Sequence, residues 1–200
     1  MIEGGDGAGK STQMKLLADY FGDKLVLTRE PGGTEYAEAI RELALKHSLA
    51  SEADGKTLFM LMWGSRAEHM NHLVTPSVQE GKIVISDRFD SSTFAYNICA
   101  QEQESLKEYF WQTRQAILGE CVPDLYIYLD LDPKIGEARL AGRDEDKNHF
   151  DQRSLDFKNK VRAGFFEFFE HVPHAIIDAT QTKEKMFEDI LEVLKKNEIV

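Results

Sequence analysis

Nine consecutive residues near the start of the chain, Gly4-Gly5-Asp6-Gly7-Ala8-Gly9-Lys10-Ser11-Thr12, satisfy G-x-x-x-x-G-K-[ST] at every required position. Glycines let a backbone turn its N–H groups inward around phosphate oxygens, and the helix expected to start near Lys10 adds its positive dipole end there. Lys10 is spaced to reach the β- and γ-phosphates of a nucleotide, and the Ser11 hydroxyl to ligate a Mg²⁺ that bridges them. A glycine-rich turn that only joins a strand to a helix has no need of Lys and Ser at those positions. The loop residues Gly5, Asp6, Gly7, Ala8, Gly9, Lys10, Ser11 and Thr12 are therefore expected to cradle the phosphates of a nucleotide.

Two polar pairs fall where apolar runs end. Lys24 to Thr28 reads as a short strand followed by Arg29-Glu30, and Lys82 to Ser86 as a central parallel strand followed by Asp87-Arg88. In an open α/β sheet, residues at the carboxyl ends of strands face the crevice where ligands bind. The chain carries 35 acidic against 24 basic residues, a net charge of −11, which counts against a nucleic-acid polymer as partner. A small anion held by a few arginines stays compatible. No run approaches the roughly 20 apolar residues that span a bilayer, and no leader pattern opens the chain, so a cytoplasmic protein without membrane association is expected. Cys99 and Cys121 are then expected to be free thiols.

The elements that must position these residues follow from periodicity. Only Met1-Ile2-Glu3 precede the cradle, so the first strand is short. Thr12 to Phe21 is helical, as are about Glu35 to Lys46 and Ala53 to Gly81, the last very apolar in its first half and expected to face the sheet and a second subunit. Helices are expected over about Ser91 to Cys99, Glu104 to Leu118, Pro133 to near Arg143, Asp151 to His171, and Lys183 to Lys196. Asp124 to Asp130 and Ala175 to Asp178 read as strands, and Asp144 to Asn148 as a charged surface loop. Strands alternating with helices around a phosphate-binding loop predict an α/β fold, a P-loop NTPase three-layer α/β/α sandwich with a five-stranded parallel sheet, as one domain over 1–200.

Four segments carry a resemblance. Beyond the loop, Thr28-Arg29-Glu30-Pro31-Gly32-Gly33-Thr34, Asp87-Arg88-Phe89 with Ser92, Ala95 and Tyr96 behind it, and Trp63-Gly64-Ser65-Arg66-Ala67-Glu68-His69 resemble thymidylate kinases, in order and at family spacing over nearly the whole chain. The resemblance implies transfer of phosphate from ATP to dTMP with Mg²⁺, in dTTP biosynthesis, by a homodimer joined through the third helix, where Leu58, Leu61, Met62 and Trp63 are expected to leave apolar surface. It implies that Asp6 contacts the acceptor's 3′-hydroxyl and that Arg88 and Arg41 hold its phosphate. Arg66 would bond the thymine carbonyl, Thr93 and Asn97 would read or line the base pocket with Ser92, and Tyr96 would close off the 2′ side. Asp87 and Glu30 would sit near Mg²⁺ with Ser11, unless either serves instead to hold an arginine. Arg41 could also be a solvated helix face, Arg66 a helix-surface ion pair, and Tyr96 a core residue.

The chain departs from the family pattern in three places. Met62 stands where the family usually places a phenylalanine against thymine, giving up aromatic geometry worth ~0.5–1.5 kcal/mol. This leaves a kinase for dUMP or a 5-substituted analogue as the alternative. A nucleotide switch is a poorer reading, since it has no second phosphate for Arg29, Arg41, Arg66 and Arg88 to hold. The lid, about 143–153, carries Asn148-His149-Phe150-Asp151 and then Arg153 where an acid is usual. Gly7 occupies a loop position at which some relatives carry arginine, so the catalytic cation is expected from Arg143 or Arg139, with Lys147 third. Gln181, after the last strand, is expected on the adenine side with Arg139 and Arg143. The acceptor oxygen is already ionised, so no base is needed and catalysis reduces to alignment and to charge neutralisation by Lys10, Arg88, Arg143 and the Mg²⁺ that Asp87 would help to hold. Arg143→Ala should lower turnover roughly 10³-fold with substrate affinity nearly unchanged, measured as kcat against KM.

Overall fold

A computed structural model describes residues 1–141 and 153–200 of the chain. Five strands form one parallel sheet: β1 (Ile2–Gly4), β2 (Leu25–Arg29), β3 (Ile83–Asp87), β4 (Tyr126–Asp130) and β5 (His174–Asp178). Their spatial order is β2-β3-β1-β4-β5. The register sets the carboxyl ends level, with Arg29 opposite Asp87, Gly4 opposite Leu129 and Asp130 opposite Asp178. The central strand is the shortest: β1 meets β3 only at Ile2 and Asp87. The chain runs to one side of β1 and then to the other, so the crevice of this fold opens at β1's carboxyl end, where the glycine-rich loop begins.

The helices are α1 (Lys10–Phe21), α2 (Glu35–Arg41), α3 (Gly55–His69), α4 (Thr75–Gln79), α5 (Asp90–Thr93), α6 (Lys107–Leu118), α7 (Pro133–Leu140), α8 (Leu155–Phe169) and α9 (Lys183–Lys196). Hydroxyl and carboxylate caps start several of them, as at Thr34, Asp54, Ser154 and Thr182. Three run on through a π-turn: Glu42–Lys46 after α2, Met70–Val74 after α3 and Phe94–Cys99 after α5. The last π-turn carries Tyr96 and Asn97, and such widened turns re-aim side chains. The expected helix over 53–81 is thus three consecutive pieces. That over 151–171 starts later, at its Ser154 cap, and the one from Pro133 stops at Leu140 rather than near Arg143.

Helices cover both faces. On one, α1 and α9 bury Met14, Leu17, Met186, Ile190 and Leu194 against Ile2, Ile127 and Leu129. On the other, α3, α6 and α8 close over an aromatic cluster. The Phe110 ring lies 5.1 Å from Phe94 and from Trp111, and 5.3 Å from Trp63. This cluster corrects the expectation about the third helix. Leu58, Met62 and Trp63 are 1%, 7% and 2% exposed inside the subunit, and the large apolar residue that α3 turns outward is Met60, 63% exposed. No helix among the described residues is long and apolar enough to cross a membrane. Because Phe110 is fully buried at the centre of four rings, Phe110→Ala should lower the unfolding free energy by about 3–5 kcal/mol, read from urea midpoints.

Candidate active site

The glycine-rich loop closes over the start of α1. Gly7 lies at φ +79, and a Cβ there would stand 2.7 Å from the Gly136 carbonyl oxygen of α7. A Cβ on Gly136 would in turn run into the Asp6 carbonyl oxygen. Loop and helix therefore touch backbone to backbone, which leaves no room for an arginine at position 7. Arg139, one turn along α7, donates to the carbonyls of Gly7 (3.3 Å) and Ala179 (2.9 Å), tying the loop to the segment after β5. Lys10 folds back, its Nζ donating to the carbonyls of Gly4 (3.0 Å) and Gly5 (3.1 Å). Burial, and then the nearby Arg88, push its ammonium below the ordinary lysine range. Ser11 and Thr12 are exposed at the mouth. Gln181 stands off on the α9 side, donating to the Asp178 carbonyl (3.2 Å) and to Asp189 Oδ2 (3.0 Å).

The ten residues expected around the acceptor, Asp6, Glu30, Arg41, Met62, Arg66, Arg88, Ser92, Thr93, Tyr96 and Asn97, all line one cleft beside this loop. One end is cationic. Arg88 donates Nη2 to Asp6 Oδ1 (2.8 Å) and Nη1 to Ser92 Oγ (3.3 Å), and its guanidinium lies 5.2 Å from the Tyr96 ring centre. Burial works against its charge, but Tyr96, Asp6, Asp87 and Glu3 outweigh that and raise its pKa. Arg41 donates to the Pro31 carbonyl at 2.7 Å, while burial and the neighbouring Arg29 lower its pKa. Arg29, which also lines the cleft, pairs with Glu38 at 3.0 Å. Like charges crowded this way favour an incoming anion. Met62 and Phe89 supply apolar wall at the other end.

That inner end is built on a buried ion pair. Arg66 is 2% exposed and stacks over Trp63, 4.4 Å from its guanidinium carbon. Its Nε donates to Glu30 Oε2 (2.8 Å) and its Nη2 to Thr93 Oγ1 (3.0 Å). The second Glu30 oxygen meets His69 Nδ1 at 2.8 Å, and His69 Nε2 meets Thr28 Oγ1 at 2.7 Å. Both oxygens of Glu30 are thus engaged, one by Arg66 and one by His69, which is the alternative in which Glu30 serves to hold an arginine. Arg66 Nη1 and Asn97 Nδ2 are buried with no hydrogen-bond partner. Asp87 differs: its Oδ1 is also buried and unpartnered, and Asp87 lines the open rim that it shares with Ser11.

Three participants escaped the sequence reading. Glu3 is fully buried beneath the Asp87-Arg88 turn, His69 closes the chain behind Glu30, and Asp90 holds Arg114 Nε (2.7 Å) and the Tyr126 hydroxyl (2.6 Å). Only Glu3 gave a signal, as an acid inside a strand with no evident partner. Arg143, Lys147 and His149 lie outside the described residues, and Arg153 lies over the Phe157 ring at 5.5 Å.

Fold and clefts define a class: a P-loop α/β protein with an arginine-lined cleft beside the loop. The family model for thymidylate kinase matches residues 2–190. A thymidylate kinase from Clostridium novyi is 37% identical over 97% of this chain and 96% of its own length. One from Protochlamydia amoebophila is 34% identical over 98% and 91%. The crystal structure of thymidylate kinase from Ehrlichia chaffeensis superposes with a TM-score of 0.76 at 28% identity, covering 97% of this chain and 96% of that one. The chain belongs to the thymidylate kinase family.

Removing Glu30 would strand two buried partners, whereas Glu42 pairs with Lys46 on the surface at 3.1 Å. Glu30→Ala should therefore cost about 3–5 kcal/mol of stability, and Glu42→Ala no more than about 1 kcal/mol, compared by chemical denaturation.

Proposed function

We propose that this protein phosphorylates dTMP to dTDP with ATP, as its family membership implies. The observation that carries the reading is the single cleft with two unlike ends. Its cationic end, at Arg41 and Arg88, opens beside the phosphate loop, and its inner end holds the unpartnered donors of Arg66 and Asn97 between apolar walls. A thymine ring presents carbonyl oxygens to such donors, and a buried donor left unpaired rejects a base that brings another donor instead. The acceptor phosphate would replace Asp6 at Arg88, freeing that carboxylate to accept from a sugar hydroxyl. Planar guanidinium groups suit this exchange because they bond phosphate oxygens in pairs and keep their charge.

The residues fit a magnesium ion. Asp87, with its unpartnered Oδ1, and the exposed Ser11 hydroxyl share one rim, and the nucleotide phosphates would complete the shell. Among the described residues no group of three or more His, Cys, Asp or Glu is placed to hold a metal by itself. When bound, the ion neutralises charge on the transferring phosphates. Lys10 would leave the carbonyls of Gly4 and Gly5 for the same oxygens. For the homodimer, support comes from the family and from Leu43, Met60 and Tyr109, exposed on adjoining elements. A coupled assay tests the central reading: dTMP should be phosphorylated at the expense of ATP, and Arg88→Ala should raise KM for dTMP roughly 30-fold or more with KM for ATP little changed. A folded protein with no such activity would overturn it.

A further inference from the structure

Glu3 occupies the middle of the central strand, one residue before the loop, with none of its surface exposed. A carboxylate in that place is costly unless its oxygens are satisfied and its charge is matched. Both conditions are met from one direction. Oε1 accepts from the Phe89 amide (2.7 Å) and the Ser91 hydroxyl (2.6 Å), and Oε2 accepts from the Ser92 hydroxyl (2.7 Å). With its proton committed to Glu3, Ser92 Oγ offers a lone pair to Arg88 Nη1, 3.3 Å away. The Arg88 backbone is held in the same grip: its amide donates to the Ile2 carbonyl (2.9 Å), and its φ of 68 lies in the left-handed region that arginine seldom adopts. The Phe89 amide, bound to Glu3, fixes the peptide that leaves this strained residue. Burial holds the Glu3 pKa above the ordinary carboxylate range, with the Arg88 charge and these hydrogen bonds opposing that rise.

We infer that Glu3 is a positioning residue for the acceptor phosphate, setting both the backbone turn of Arg88 and the direction of its guanidinium without touching substrate. This rests on the reading of Arg88 as a ligand of that phosphate. Glu3→Gln keeps the shape but places an amide donor where one acceptor stood. If the amide nitrogen faces Ser92, that hydroxyl must accept from it and turn its own proton toward Arg88, donor against donor. If it faces the Phe89 amide and Ser91, those two donors lose their acceptor. Either way the aim of Arg88 is spoiled while Lys10 keeps its bonds to the Gly4 and Gly5 carbonyls.

Steady-state kinetics on the full chain test this. Glu3→Gln should raise KM for dTMP roughly 10- to 100-fold, with KM for ATP within about twofold. Ser92→Ala, which keeps Glu3 but removes the relay, should raise it roughly 3- to 10-fold, and it carries the test should Glu3→Gln fail to fold. In an Arg88→Ala background, Glu3→Gln should add no further loss in KM for dTMP. Equal losses for both substrates, or a lower melting temperature with unchanged kinetics in both variants, would overturn the positioning role. An Arg88→Ala protein with a raised KM for dTMP beside a silent Glu3→Gln would remove that role and leave the acceptor site standing. An Arg88→Ala protein with unchanged KM for dTMP would remove both.

Discussion

A cleft that must grip a phosphate dianion has to keep its cations in place before the anion arrives, and in an acidic chain each of them waits on a local partner. Arg88 rests on Asp6, Arg29 on Glu38, Arg41 on the Pro31 carbonyl and Arg66 on Glu30. Burial separates these pairs into two kinds. The side chains of Arg88 and Asp6 are 20% and 29% exposed, so a phosphate can take Asp6's place at modest cost; those of Arg66 and Glu30 are 2% and 3% exposed, and breaking that pair would strand a charge. The outer end of the cleft is exchangeable and the inner end is permanent. That division suits the two tasks proposed for the cleft, since a phosphate must enter and leave whereas a contact that distinguishes one base from another has to be rigid.

The sheet makes this arrangement possible. Parallel pairing in register sets Arg29 beside Asp87, and the chain reverses its side at β1, so the loop, the Asp87-Arg88 turn and the Arg29-Glu30 turn converge on one edge. From behind, the aromatic cluster fixes α3, and with it Arg66 and His69, at a constant height over that edge. The stacking of Arg66 on Trp63 joins the two, so that packing of the core and presentation of a donor to the base are one interaction.

Much of this was legible because motif and periodicity are local. The loop, the strands and the residues at their ends could be read from Gly4 to Thr12, Lys82 to Ser86 and Asp124 to Asp130, and the residues expected around an acceptor, scattered from 6 to 97, line one cleft. What stayed hidden depends on three-dimensional partners. Glu30 could be placed at a strand end, but only packing reveals that both its oxygens are taken by Arg66 and His69. Apolar Leu58, Met62 and Trp63 look alike whether they face a second subunit or an aromatic core; the ring cluster decides for the core. Helix ends drifted for a similar reason, since the Ser154 cap and the π-turns are settled by individual hydrogen bonds.

The contact between Gly7 and Gly136 carries the last step. By pressing α7 onto the loop it excludes a side chain at position 7, and Arg139 nearby is already bonded to two carbonyls. A cation fixed at the loop would attract ATP in the ground state and ADP after transfer along with the transition state, and such uniform binding does not raise turnover. A cation on a separate segment can be engaged mainly when both substrates are in place, so that its interaction energy falls on the transferring phosphate. The backbone contact between the two glycines thus leaves Lys10 as the loop's own cation, which agrees with the expectation that a second cation comes from outside the loop.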